Sequence, residues 1–174
     1  LIPTGKISVP DFRGCWFDRE RNTFRVRSGN ILEEWDGKAP ARSIGEIDLP
    51  DFLESFPTRS GVIYFSDYRS SIYRFRNGRM EKLDFQVPFP ISIDADRKGG
   101  LWIGSGSDGL FRYDLSGGEL RHIDLPDENV SQVEVDGNDN VWVCMRSLVL
   151  RLDGRDGHST LYRNPNRESI VYSG

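Results

Sequence analysis

Asp96-Arg-Lys-Gly-Gly-Leu-Trp102-Ile-Gly-Ser-Gly-Ser-Asp-Gly-Leu110-Phe-Arg-Tyr-Asp114 is the stretch whose reading decides the fold. Two short runs of alternating polarity, Leu101-Trp-Ile-Gly and Leu110-Phe-Arg-Tyr-Asp, are set apart by clusters of Gly, Ser and Asp. Alternation with a period of two marks half-buried strands, and the clusters mark turns. The pattern returns as Asp136-Gly-Asn-Asp-Asn-Val-Trp142-Val-Cys, leading to Leu148-Val-Leu-Arg-Leu. Weaker copies are Gly14-Cys-Trp16-Phe-Asp, leading to Thr23-Phe-Arg-Val-Arg27, and Gly61-Val-Ile63-Tyr-Phe, leading to Ser71-Ile-Tyr-Arg-Phe75. With anchors at Trp16, Ile63, Trp102 and Trp142, the spacings are 47, 39 and 40 residues. A period near forty built from short strands predicts stacked four-stranded β units of the propeller-blade kind.

Working outward, each copy resolves into a meander. The third reads Ile91-Ser-Ile-Asp-Ala, Leu101-Trp-Ile-Gly, Leu110-Phe-Arg-Tyr-Asp and Leu120-Arg-His-Ile-Asp-Leu. The fourth reads Ser131-Gln-Val-Glu-Val, Val141-Trp-Val-Cys, Leu148-Val-Leu-Arg-Leu and Ser159-Thr-Leu-Tyr. Arg76-Asn-Gly-Arg in the second is a hairpin signal, because a type I′ turn needs two residues at positive φ. Lys6-Ile-Ser-Val stands where the first copy needs its opening strand, and Ser169-Ile-Val-Tyr172 stands where a fifth copy would start. The expected architecture is all-β, one partial β-propeller domain over 1–174. Its blades fall at about 5–36, 44–85, 91–125 and 131–163, with 168–173 opening a further blade. An open array exposes two sheet faces, so further blades or a second chain are expected partners.

Composition narrows the function classes. A net charge of −4 argues against nonspecific nucleic-acid binding, which wants a basic surface. No apolar run approaches the roughly 20 residues that span a bilayer. Two cysteines, Cys15 and Cys144, and two histidines, His122 and His158, supply no metal-ligand spacing, so neither cofactor nor metal is expected. Small buried thiols are the expected state of both cysteines.

The third copy resembles the two-component regulator propeller repeat. The likeness lies in Asp-x-x-Gly-Gly-Leu-Trp-Ile-Gly-x-x-x-x-Gly-Leu-Phe-Arg-Tyr-Asp at 96–114. It is strong over 91–125, good over 131–163, and weak over 14–36 and 61–85. The resemblance implies a periplasmic sensor domain of bacterial hybrid two-component systems. It also implies seven blades per propeller, so that this chain would be a fragment, a split propeller or a degenerate relative. It carries the expectation of a non-catalytic ligand-binding module; the alternatives are a propeller lyase or hydrolase acting on carbohydrate, and a protein-interaction scaffold.

Candidate site residues come from the loops expected between second and third strands. These carry Arg21, Tyr68 and Arg69, Asp108, and Arg146. Arg forks bind carboxylate, sulfate or phosphate bidentately, and Tyr stacks on sugar rings. If the loops rise on one face, that face suits an anionic oligosaccharide. Trp16, Trp102 and Trp142 are expected to pack between sheets. Asp96 and Asp136 are expected to accept backbone N–H groups of the turns that follow them.

Overall fold

The computed structural model describes residues 12–18, 21–38, 40–47, 54–67 and 69–163. Its described elements are sixteen strands in four antiparallel four-stranded sheets, each a simple meander. Sheet 1 is β1 (Phe12–Asp18), β2 (Thr23–Ser28), β3 (Ile31–Trp35) and β4 (Arg42–Glu46). Sheet 2 is β5 (Glu54–Pro57), β6 (Ile63–Ser66), β7 (Ser71–Arg76) and β8 (Arg79–Gln86). Sheet 3 is β9 (Pro90–Ala95), β10 (Gly100–Ser105), β11 (Leu110–Asp114) and β12 (Leu120–Ile123). Sheet 4 is β13 (Val130–Val135), β14 (Val141–Met145), β15 (Leu148–Leu152) and β16 (Ser159–Arg163). The chain divides into two compact units, Leu1–Gln86 and Val87–Gly174, each holding two sheets.

In the second unit the turn residues do what their chemistry dictates. Asp96 Oδ1 accepts from the N–H groups of Lys98 and Gly100 at 2.9 and 2.7 Å. Asp136 Oδ1 accepts from Asn138 and Asn140 at 2.8 and 3.0 Å. Each carboxylate thus satisfies turn donors that the ladder leaves open. Leu110, Val130, Val133, Val135, Val141, Val143, Met145 and Leu150 then form one buried cluster drawn from both sheets. Complete burial of such a side chain stabilises by about 1.5–3 kcal/mol. A Cβ on Gly104 would lie 2.6 Å from Val130 Cγ1 and 2.9 Å from Val133 Cγ2, so β13 lies directly on β10. Polar pins cross the same contact. Ser92 Oγ accepts from Val133 N–H at 2.9 Å, and Asp94 Oδ2 accepts from Val135 N–H at 2.7 Å. Two donors on the edge strand of sheet 4 are thereby satisfied by side chains of sheet 3.

The first unit buries Leu32, Ile47, Ile63, Phe65 and Phe75 together, with Arg27 set 6.0 Å over the Phe65 ring. Asn77 and Gly78 have φ of 53° and 76°, which is the expected type I′ hairpin between β7 and β8. Two expectations need correction here. The boundary placed between 36 and 44 moves, because β4 pairs with β3 and completes sheet 1, so sheet 2 starts at Glu54. The anchor of the second copy is Tyr64 rather than Ile63. Tyr64 pairs with Arg74 as Trp102 pairs with Arg112, whereas Ile63 pairs with Phe75 as Leu101 pairs with Tyr113. A slip of one residue moves a side chain to the other face, so this choice of anchor matters. The strands expected at 6–9 and 168–173 lie outside the described residues.

Candidate functional site

The most repeated polar arrangement is a cross-strand pair of an aromatic residue and an arginine. It occurs between the second and third strands of sheets 2, 3 and 4, as Tyr64↔Arg74, Trp102↔Arg112 and Trp142↔Arg151. The Arg112 and Arg151 guanidiniums lie 5.5 and 5.9 Å from the ring centroids of their tryptophans, within cation–π range. Each indole N–H donates to the turn carboxylate: Trp102 Nε1 to Asp96 Oδ2 at 2.9 Å, and Trp142 Nε1 to Asp136 Oδ2 at 3.1 Å. The Nε atoms of Arg25, Arg74 and Arg151 are buried without a hydrogen-bond acceptor. Arg74, Arg112 and Arg151 hold the same third-strand position in sheets 2, 3 and 4, so the arrangement belongs to the repeat rather than to one reactive centre. The signal was present in the sequence as an Arg nine or ten residues after each anchor, but only the strand register reveals the pairing.

Loop carboxylates are similarly occupied. Asp67 accepts from the N–H groups of Arg69, Ser70 and Ser71, which outweigh burial and hold it below the usual carboxylate range. Burial would raise Asp136, but hydrogen bonds from Asn140, Trp142 and Asn138 carry it well below that range. Asp114 is lowered to about 2 by the Ser116 hydroxyl and by the Ser116 and Gly117 N–H groups. Groups held this way are ionised acceptors at neutral pH rather than proton donors. His122 Nε2 lies 2.8 Å from the Asp108 carbonyl oxygen, to which it can donate. Among the described residues, no group of three or more His, Cys, Asp and Glu is placed to hold a metal ion. The thiols depart from expectation: Cys15 is exposed and Cys144 half-buried, both unbridged.

The residues singled out in the loops do not form one group. Tyr68 lies outside the described residues. Arg21 sits in the β1–β2 turn, with Nη1 at 3.0 Å from Asp18 Oδ2, close against Gly61 in the β5–β6 turn. Arg69 sits in the β6–β7 turn, at the opposite end of β6. The expectation that Arg21 and Arg69 rise together therefore fails within the first unit. The cause is the register: the Trp16 strand opens sheet 1 as described, whereas the Trp102 strand is second in sheet 3. Asp108 and Arg146 do share an end of the second unit. Arg97 reaches the Gly137 carbonyl, which places the β9–β10 and β13–β14 turns side by side and their β10–β11 and β14–β15 counterparts at the other end.

Each unit carries a cleft lined in part by arginines. In the second unit a cleft of about 350 Å³ is lined by Arg146, Ser147, Tyr162 and Arg163, among others. Tyr162 is 42% exposed, and its ring stacks on Trp142 at 5.9 Å. This gathers two guanidiniums and an aromatic face, a set that suits an anionic sugar. Of these, Arg146 is among the residues singled out from sequence; Tyr162 and Arg163 are not, since the end of β16 meets the start of β15 only after folding. In the first unit a cleft of about 330 Å³ holds Arg21 but not Arg69.

Comparison with known proteins locates the fold. No protein-family model matches the chain, and no curated protein sequence does. Solved structures do. Catalytically inactive virginiamycin B lyase from Staphylococcus aureus superposes with a TM-score of 0.66 at 15% identity, over 92% of this chain and 58% of that one. A gluconolactonase from Xanthomonas campestris, XC5397, gives 0.63 at 16% identity, over 87% and 61%. The extracellular domain of a hybrid two-component system of B. thetaiotaomicron, BT4673, gives 0.62 at 18% identity, over 91% and 23%. These are propeller proteins, and the four sheets are propeller blades. The chain spans less than two thirds of each of these structures. The set mixes enzymes with sensor domains, so it defines the fold and leaves the activity open.

Proposed function

We propose that this chain is a non-catalytic ligand-binding module of an extracytoplasmic bacterial sensor of the two-component type, and that its ligand is an acidic oligosaccharide. The observation that carries the reading is the cleft in which Arg146 and Arg163 flank the exposed Tyr162. The resemblance of residues 96–114 to the two-component regulator propeller repeat supports it. So does the likeness to the extracellular domain of a hybrid two-component system. The guanidiniums hold the acidic groups, and the Tyr162 ring takes a sugar face. Ligand occupancy then changes how the module presents itself to the signalling domains of the longer protein.

Calorimetric titration of neutral and uronic-acid oligosaccharides into wild type, Arg146→Ala and Arg69→Ala tests this. Acidic ligands bind wild type more tightly than neutral ones, weaken with added salt, and lose affinity in Arg146→Ala. Equal binding of both ligand classes, or no effect of Arg146→Ala, removes the reading. Chain cleavage in the same mixtures would replace it with the lyase or hydrolase alternative.

A further inference from the structure

The cleft of the first unit has an unusual charge balance for a chain whose net charge is −4. Arg21, Arg25, Arg42 and Arg76 line it, and Glu34 is the carboxylate on its wall. Arg25 is buried, its side chain 6% exposed, and its Nη2 lies 3.0 Å from Asp18 and 3.9 Å from Glu34. Its Nη1 also reaches the Gly61 carbonyl at 3.4 Å. Arg21 takes the same Asp18 oxygen at 3.0 Å, and Arg42 takes Glu34 at 3.0 Å. Two carboxylates thus serve three guanidiniums, and Arg76 is a fourth on the same cleft. Arg76, at the start of the β7–β8 hairpin, makes no ion pair among the described residues.

A buried, twice-anchored guanidinium is a fixed donor, and three partly or fully exposed ones around it can close on a ligand. Burial lowers the pKa of Arg25 against the pull of Asp18, and the Arg21 charge lowers it further. An added anion relieves that repulsion. Arg forks match the oxygen spacing of phosphate and carboxylate, and two unmatched positive charges match a dianion better than a monoanion.

We propose that this cleft is an anion site for a phosphoryl dianion, carried free or on a small ester. It is separate from the Arg146 cleft and does not rest on the sensor reading. Arg76 and Arg42 close over the phosphoryl oxygens from the two sides, while Arg25 and Arg21 hold the floor.

Titration calorimetry with inorganic phosphate, with glucose 6-phosphate and with chloride at matched ionic strength tests the site on wild type, Arg76→Ala and Arg79→Ala. Arg79 removes the same charge from the same hairpin outside the cleft lining. Both phosphates bind wild type where chloride does not. Arg76→Ala weakens them about tenfold, the worth of one charged hydrogen-bonding contact, and Arg79→Ala leaves them unchanged. Equal affinity for the two phosphates assigns the site to the free anion, and tighter binding of the ester to a phosphorylated sugar. Heats no larger than those of chloride, or equal losses in the two variants, overturn the proposal. Loss of acidic-oligosaccharide binding in Arg146→Ala bears on the other cleft alone, so the two readings fail separately.

Discussion

Trp102 and Trp142 hold the same place in the repeat and make the same local contacts, yet they live in different surroundings. Each donates its indole N–H to an Asp six residues earlier and lies beside an Arg of the next strand. Trp102 is 9% exposed and joins the cluster with Val133, Val141 and Val143 of sheet 4. Trp142 is half-buried: among the described residues of the unit no further sheet follows sheet 4, and Tyr162 and Arg151 lie against the ring. Two residues on, the same contrast decides identity. Gly104 meets Val130 and Val133 at distances that leave no room for a Cβ, whereas Cys144 at the equivalent place carries a side chain. A repeat therefore encodes the blade, and the neighbouring blade encodes what each repeat position is worth.

That contrast can be broken by measurement. Trp102→Ala should cost about 3–5 kcal/mol, as large-to-small changes in a closed interior do. Trp142→Ala should cost about 1–2 kcal/mol, because less area leaves water on folding. Urea melts with equal midpoints for the two would erase the distinction. Next in size, Gly104→Ala should cost about 1–3 kcal/mol by overpacking, while Cys144→Ala should stay below about 1 kcal/mol. Similar losses at both positions would mean that the inter-sheet contact gives way easily. Ser92→Ala should cost about 1–2 kcal/mol, since it strands the buried Val133 N–H; Thr at the same position, if accommodated, should recover part of that. The smallest effect is a pH slope. The folded pKa of Asp136 lies below its reference value of 3.8, so its contribution is complete above that value and is lost as pH falls through the folded one. Asp114, at about 2, acts in the same direction. Thermal melts between pH 5 and 2 should fall for wild type and fall less for Asp136→Asn. Parallel curves would show that Asp136 is not held by its turn.

What was legible in the sequence was local. The strands of sheets 3 and 4 follow from Asp-bounded turns and two-residue alternation, and both appear within one or two residues of expectation. Sheet 1 was misdrawn because its final strand, Arg42–Glu46, lacks alternation and follows Pro40, so it read as a connection. The second anchor was misplaced because Ile63 and Tyr64 are both apolar enough to serve, and only cross-strand pairing chooses between them. The candidate arginines were correctly seen as loop residues. Their grouping was not legible, since which turns share an end depends on strand parity in each sheet. A single unrecognised offset in sheet 1 sends Arg21 and Arg69 to opposite ends.

The pins from Ser92 and Asp94 to the edge of β13 set a limit on motion. Apolar burial between sheets has no direction of its own. Two directional bonds of 2.9 and 2.7 Å are not tolerant of sliding, because a slide that breaks them leaves both buried donors empty until the next pair of N–H groups arrives two residues along. Shear between sheets 3 and 4 is therefore stepwise, with a long forbidden interval between allowed positions. A displacement of one of these sheets along the other works against both bonds at once.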